Sequence, residues 1–135
     1  MAFIRVRTRR TKTGHLRTYT ELVETWREGD HVRQRVLCNL YGYKAPELAL
    51  PHVRTLLNRE LVNRQRQRAD FRKGWRVVGS TRPRLQRLTV NQIARERRES
   101  NRGIARLRKD LAALERAIQK YPTPPELLRK LKAES

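Results

Sequence analysis

Hydrophobic and polar positions alternate most regularly between residues 15 and 42, on either side of the dipeptide Gly29-Asp30. Both flanking runs are rich in Thr, Val, Leu, Tyr and Trp, residues that favour β-strands. A glycine in a two-residue loop can take the positive φ that a hairpin turn requires. The pattern therefore predicts a β-hairpin that turns at Gly29-Asp30 and pairs Val23 with Val36.

The predicted hairpin has two different faces, because its register separates apolar from charged side chains. We expect the apolar face to be buried and the other face, which is basic and aromatic, to be open. The apolar face pairs Val23 with Val36, Glu21 with Cys38 and Tyr19 with Leu40, and it includes Val32. The open face pairs Trp26 with Arg33, Glu24 with Arg35 and Leu22 with Leu37, and it includes Thr18 and Thr20.

Residues 2–8 also alternate, which predicts a third antiparallel strand. If Ile4 and Val6 join the apolar face of the hairpin, then Phe3, Arg5 and Arg7 join the open, basic face. Residues 9–14 would form the connecting loop. This loop could be a mobile arm that reaches a phosphate or a minor groove, or it could be an ordinary solvated loop. Its cations are Arg9, Arg10 and Lys12.

A helix is predicted after a linker at residues 43–51, because Pro46 and Pro51 each suit the first turn of a helix. Its apolar stripe would cover the apolar face of the sheet; the stripe is Val53, Leu56, Leu57 and Leu61. Further on, arginines recur every fourth residue. Like charges at this spacing disfavour an isolated helix, so we interpret the row as phosphate contacts rather than as a solvated face. The row is Arg64, Arg68 and Arg72, with Arg66 and Lys73 beside it.

The C-terminal part of the chain predicts two more helices. A capping box at Thr89 to Gln92 starts a helix near Val90, and a second box at residues 123–126 starts a short one. The long helix has a heptad pattern that Arg97 and Ser100 interrupt. We favour a hairpin of these two helices over a dimer through the heptad seam, which would use Ile104, Leu107, Leu111, Leu114 and Ile118. Residues 75–78 are expected to form a packing plug or an edge strand.

Together these elements predict an α+β protein with a three-stranded antiparallel sheet covered by a helix, followed by a long helix and a short helix that form a helical hairpin. We expect a nucleic-acid-binding domain over residues 1–79, a linker over residues 80–88, and a helical hairpin or coiled-coil region over residues 89–135.

Charge narrows the class of function. The 135 residues contain 33 Lys and Arg against 13 Asp and Glu, which gives a net charge of +20 and a pI near 11.6. Such a chain is typical of proteins that bind nucleic acid or another polyanion. The single cysteine excludes an internal disulfide and a thiolate zinc cluster. Neither a signal peptide nor a membrane span is evident, so we expect a cytoplasmic protein.

Residues that could support catalysis are scattered. The three histidines do not have metal-ligand spacing, and Asp30, Asp70 and Asp110 each have Arg or Lys nearby. A metal-dependent nuclease needs acidic residues clustered around its cation. We therefore expect no metal, no cofactor and no catalysis by this chain.

The hairpin sequence resembles the N-terminal segment of bacterial insertion-sequence transposases of the DDE type. The matching residues are Tyr19, Leu22, Val23, Glu24, Trp26, Arg27, Gly29, Arg33, Gln34, Arg35, Leu37 and Leu40, with Tyr41 before Gly42. The resemblance covers about the first third of the chain and implies a role in DNA binding or end recognition. Such transposases continue into a catalytic domain with an Asp-Asp-Glu triad, whereas this chain continues into helices. We expect a stand-alone relative, a truncated reading frame or a domesticated accessory.

The leading hypothesis is a double-stranded DNA binder of the transposase type, associated with the nucleoid. The expected contact residues are Arg5, Arg7, Arg9, Arg10, Lys12, Arg17, Trp26, Arg33, Arg35, Arg64, Arg66, Arg68, Arg72 and Lys73. The alternative is an RNA-binding protein of a ribonucleoprotein particle, such as a ribosome-associated protein, because composition alone does not separate DNA from RNA binding. A third class is an oligomerising scaffold built on the heptad helix.

Overall fold

The computed structural model describes residues 1–134, and it contains five strands and three helices. In chain order the elements are β1 (Ala2–Arg10), β2 (Leu16–Glu28), β3 (His31–Asn39), α1 (Pro46–Lys73), β4 (Trp75–Val78), β5 (Arg84–Arg87), α2 (Val90–Lys120) and α3 (Pro125–Glu134). The first three strands form an antiparallel sheet in the order β1-β2-β3. The predicted α+β class, with this sheet and then a long and a short helix, is confirmed.

The turn between β2 and β3 has the predicted register. Gly29 has a φ of +62°, a left-handed conformation that glycine adopts without steric cost. Next to the turn, Trp26 pairs with Arg33 and Glu24 pairs with Arg35. The short loop therefore fixes the strand alignment over the first six pairs, from Glu28–His31 to Val23–Val36.

Farther from the turn the register changes, because β3 contains one additional residue between the pairs Val23–Val36 and Leu22–Cys38. A bulge of this kind moves every following side chain to the other face of the sheet. The predicted pairs Glu21–Cys38, Tyr19–Leu40 and Leu22–Leu37 are therefore wrong. The observed pairs are Leu22–Cys38 and Glu21–Asn39, and the amide of Leu40 donates to the carbonyl of Thr20.

The bulge also changes which face is buried. Cys38 and Leu40 lie on the same face as Leu22 and Glu24, and all four are buried. The predicted apolar face is wrong at its outer end, where Val32 is 63% exposed and Val36 is 48% exposed. Every residue from 26 to 36 is exposed. The end of the hairpin therefore meets solvent on both faces.

Strand β1 pairs differently from the prediction. Ile4 lies opposite Leu22, so Arg5 and Arg7 lie opposite Glu21 and Tyr19, on the other face from Arg33 and Arg35. The single basic face that the sequence predicted is therefore wrong. The predicted loop at residues 9–14 is also too long, since Arg9 and Arg10 belong to β1, and the turn is closed by a hydrogen bond from the Thr11 amide to the His15 carbonyl.

Helix α1 begins at Pro46 rather than after Pro51, so the predicted linker at residues 43–51 is partly helical. Helix α2 begins at Val90 as predicted, because the Gln92 amide donates to Oγ1 of Thr89 at 3.1 Å and caps the first turn. Within residues 1–134, no helix combines the length and the apolar character needed to cross a membrane.

The chain forms two compact units, and both long helices pass from one unit into the other. Unit 1 comprises Met1–Arg54 and Lys109–Ser135, and unit 2 comprises Thr55–Arg108. Residues 80–88, expected to be a linker, contain β5, which pairs with β4 in a second, two-stranded sheet.

Within unit 1, the end of α2 and helix α3 are tied to the start of α1 and the residues before it. The backbone amide and Oγ1 of Thr123 both donate to the carboxylate of Glu47, at 2.8 and 2.7 Å. Tyr41 donates to Asp110 of α2. Leu131 of α3 lines a shallow cavity with Tyr43. Leu114 of the heptad stripe is buried in this unit, whereas Ile104 and Leu107 of the same stripe are buried in unit 2.

Candidate nucleic-acid interface

The exposed end of the β2–β3 hairpin carries three of the predicted contact residues on one face. Trp26 is 41% exposed, and the guanidinium carbon of Arg35 lies 5.6 Å from its ring centroid. Arg33 lies opposite Trp26 in the ladder, and its Nε is 3.4 Å from the Glu28 carboxylate. The face therefore combines an accessible aromatic ring with two guanidinium groups.

Glu24 lies opposite Arg35 in the ladder, as the predicted register requires, and it orients the Arg35 side chain. The carboxylate of Glu24 accepts hydrogen bonds from Arg35 Nε at 2.7 Å and from the Tyr121 hydroxyl at 2.6 Å, and Lys120 Nζ lies 2.5 Å from it. Interactions with Lys120, then Tyr121, and then Arg35 lower the pKa of Glu24 to about 2, although burial acts in the opposite direction. The carboxylate therefore stays charged at neutral pH and holds the Arg35 side chain in place.

Tyr121 and Lys120 were not among the predicted site residues. The hydrogen bond to Glu24 raises the pKa of Tyr121, with a smaller contribution from burial. Its hydroxyl therefore remains a donor at neutral pH. Arg35, Arg116 and Lys120 also line a cavity of about 270 Å³ in unit 1. Arg35 is far from Arg116 and Lys120 in the sequence, so only the tertiary structure brings these cations together.

The predicted residues of β1 are on the opposite face of the sheet. Arg5 donates to Glu21 at 2.8 Å, while its Nε is buried with no hydrogen-bond partner in residues 1–134. Arg5 is therefore paired within the protein. Arg7 is half-buried. The other predicted cations of this region are exposed at the far end of the β1–β2 hairpin; they are Arg9, Arg10, Lys12 and Arg17.

The arginine row of α1 lies in unit 2, where it lines a groove of about 380 Å³. Three predicted residues, Arg64, Arg68 and Arg72, share this groove with Arg97 of α2. The complete lining is Arg64, Gln67, Arg68, Phe71, Arg72, Arg97, Ser100 and Asn101. The other two predicted cations of α1 lie outside it: Arg66 is exposed, and Lys73 Nζ sits 5.1 Å from the ring centroid of Trp75.

Arg97 was missed as a site residue, although the sequence contained a signal for it. Arg97 and Ser100 are the two residues that interrupt the heptad pattern of α2. Both line the groove opposite the α1 row. Polar residues at core-phase positions of α2 therefore marked the lining of a groove rather than a defect in packing.

Groups that could bind a metal ion are not brought together. In the part of the chain that the structure describes, no three His, Cys, Asp or Glu side chains are close enough to hold one. The free Cys38 is buried, and burial raises the pKa of its thiol to about 11. Cys38 therefore packs as a small apolar side chain, as the sequence predicted.

Comparison with known proteins finds a family similarity for the sheet and most of α1. Residues 4–70 match the family model described as IS1634 family transposase, N-terminal domain. The matched segment is thus similar to a transposase N-terminal domain. This match confirms the resemblance drawn from the hairpin motif and extends it through α1 to Asp70. No match was found among curated proteins or among solved structures. The matched segment thus includes the hairpin face and the first two arginines of the groove, whereas Arg72 and Arg97 lie beyond it.

Proposed function

We propose that the chain binds double-stranded DNA as a transposase-type protein, in the cytoplasm at the nucleoid, without catalysing a reaction itself. The match of residues 4–70 to a transposase N-terminal domain carries this proposal. The net charge of +20 supports it, because a protein that neutralises phosphates gains affinity through the release of counterions.

The hairpin end is the proposed base-reading element. A two-stranded β-ribbon fits the major groove, which is about 12 Å wide. Arg33 and Arg35 project from one exposed face beside Trp26, and an arginine fork can donate two hydrogen bonds to a guanine edge. The contact of Arg35 with Glu24 reduces the rotamer freedom that the side chain would lose on binding.

The other cations among the predicted contact residues, except Arg5 and Arg7, are proposed to contact the DNA backbone. Phosphate contacts set the position and orientation of a protein on the duplex without reading its sequence. Arg5 and Arg7 are left out of the base-reading group, because they lie on the opposite face of the sheet. The backbone group comprises Arg9, Arg10, Lys12 and Arg17 of unit 1, and Arg64, Arg66, Arg68, Arg72 and Lys73 of unit 2.

The test of this function is direct binding. Labelled duplex DNA, a structured RNA and a single strand are titrated with the chain between about 50 and 200 mM salt. We expect the highest affinity for duplex DNA, falling by about 10³ to 10⁵ over this range if six to ten phosphates are contacted. A preference for the structured RNA would contradict the proposal.

Base reading is tested separately by selecting preferred sites from a random duplex pool. We expect Arg33→Gln and Arg35→Gln to relax the selected sequence, at a cost of about 1–3 kcal/mol for each lost bidentate contact. Arg27→Gln is the matched control. This substitution removes the same charge from the same hairpin, but Arg27 pairs with Val32 on the opposite face. Equal losses on all sequences for the three variants would refute base reading by this face.

A further inference from the structure

We propose that the groove lined by Arg64, Arg68, Arg72 and Arg97 in unit 2 binds the phosphate backbone of duplex DNA, with Arg97 of α2 facing the arginine row of α1. This inference rests on the proposed function and extends it to residues beyond the matched segment 4–70. It assigns a role to Arg97, Ser100 and Asn101.

Unit 2 concentrates the charge of the protein. Residues 55–108 contain 16 Lys and Arg and 4 Asp and Glu, so this unit has a net charge of +12 out of the total of +20. Such a concentration repels itself in the free protein and attracts a polyanion. The groove lies within this unit.

The groove collects cations without counterions. None of its eight lining residues is acidic. Across residues 1–134, no carboxylate lies within 4.0 Å of a nitrogen of Arg64, Arg68, Arg72 or Arg97. Glu96, which precedes Arg97 in α2, instead pairs with Arg76. Four guanidinium groups therefore share one groove with no internal charge to neutralise them.

The spacing of the row favours a polyanion over a single small anion. A helix rises 1.5 Å per residue, so Arg64 and Arg68 are about 6 Å apart along the axis, and Arg72 extends the row to about 12 Å. One phosphate group is too small to contact such a row from end to end. Planar guanidinium forks bind phosphate oxygens in pairs, and Gln67, Ser100 and Asn101 add neutral donors.

The aromatic residue of the groove favours backbone contact over base stacking. Phe71 is 8% exposed, and the guanidinium carbon of Arg97 lies 5.4 Å from its ring centroid. The ring therefore supports Arg97 and does not offer its face to an unstacked base. Proteins that bind single strands use accessible aromatic rings as stacking platforms. We accordingly assign the groove to duplex DNA.

The experiment compares two pairs of variants in the full chain. Asn101→Asp places one negative charge in the groove without changing side-chain size, and Asn63→Asp adds the same charge at an exposed position of α1 outside the groove. Arg97→Gln removes a groove cation, and Arg98→Gln removes its exposed neighbour. Affinity for duplex DNA is measured for each variant over the same salt series, after circular dichroism has shown an unchanged melting curve.

We expect Arg97→Gln to weaken duplex binding about tenfold and to reduce the slope of log K against log salt by about 1. Asn101→Asp is expected to weaken binding by at least as much. The two control variants should change affinity by about twofold or less, since exposed charges away from the ligand are screened.

Each outcome has a separate meaning. If the unaltered chain binds no duplex, the proposed function fails. If it binds duplex but each groove variant behaves like its control, only the groove assignment is overturned. If the groove variants lose binding to structured RNA and keep binding to duplex DNA, the groove is an RNA site and the assignment to DNA is overturned.

Discussion

The hydroxyl of Tyr121 donates a 2.6 Å hydrogen bond to the carboxylate of Glu24, joining the residue that follows α2 to the central strand of the sheet. The same carboxylate contacts Lys120 and accepts a hydrogen bond from Arg35. Glu24 is 6% exposed. One buried acid therefore connects the end of a long helix to the proposed base-reading face.

This connection predicts a dependence of stability on pH. The folded protein lowers the pKa of Glu24 from 4.5 to about 2, so between these values the unfolded chain binds more protons than the folded one. The stabilisation by Glu24 is then present above pH 4.5 and is lost as the pH falls toward 2.

Thermal melting of the unaltered chain and of Glu24→Gln between pH 7 and pH 2 measures this effect. We expect the variant to melt at a lower temperature at pH 7, and the difference to narrow below pH 4.5. Glu99→Gln, at an exposed position inside α2, is the control and should melt like the unaltered chain throughout. A difference for Glu24→Gln that is constant with pH would contradict the network.

The two tryptophans allow the hairpin to be monitored separately from unit 2. Trp26 is in β2, and Trp75 is in β4. In a Trp75→Phe variant the emission comes from Trp26 alone, and we expect it to change in intensity and wavelength when duplex DNA is added, because the ring lies on the proposed contact face. The change should saturate with the same Kd as direct binding. Unaltered Trp26 emission at saturating DNA would exclude this face from the interface.

The bulge in β3 predicts an unequal cost of truncating two apolar residues that the sequence placed on the same face. Leu40 is fully buried, so Leu40→Ala should lower the free energy of unfolding by about 2–5 kcal/mol. Val32 is 63% exposed, and Val32→Ala should change the free energy of unfolding by about 0.5 kcal/mol or less. Urea unfolding measures both. Equal losses would indicate the regular ladder without a bulge.

The turn region of the β4–β5 hairpin depends on Gly79. Its φ is +90°, and a Cβ at this position would lie 2.7 Å from the carbonyl oxygen of Arg82. Gly79→Ala should therefore destabilise the hairpin by about 1–3 kcal/mol, the usual cost of a strained backbone position. Amide hydrogen exchange in β4 and β5 should become faster while exchange in β2 is unchanged.

Gly103 is the matched control for that substitution. It lies inside α2, and an added Cβ meets nothing within 4 Å. Gly103→Ala should stabilise the protein by about 0.5–1 kcal/mol, because alanine favours a helix interior over glycine. Destabilisation by Gly103→Ala together with a neutral Gly79→Ala would contradict both local backbone descriptions.

Local signals in the sequence determined most of the secondary structure. The Gly29-Asp30 turn set the register of the nearest strand pairs, since a two-residue loop leaves one alignment. The capping residue Thr89 set the start of α2, because its hydroxyl satisfies an amide that has no partner within the helix. The hairpin motif also indicated the transposase family, which the match of residues 4–70 confirms.

Local sequence patterns did not predict the register of β1 or the bulge in β3. Alternation is compatible with either face of a strand, and one additional residue reverses every side chain that follows. The sequence therefore placed Cys38 of β3, and Leu40 directly after β3, on the wrong face. It also grouped Arg5 with Arg35 although they lie on opposite faces.

In the proposed binding sites, too, some features follow from local sequence patterns and others depend on tertiary packing. Residue type and local periodicity were sufficient to identify the basic residues, to place Arg64, Arg68 and Arg72 on one side of a helix, and to place Glu24 beside Arg35. The tertiary structure alone decided that Arg97 completes the groove and that Tyr121 and Lys120 reach Glu24. The physical reason is sequence distance: helical and strand periodicity relate residues a few positions apart, whereas contacts between distant residues depend on how whole elements pack.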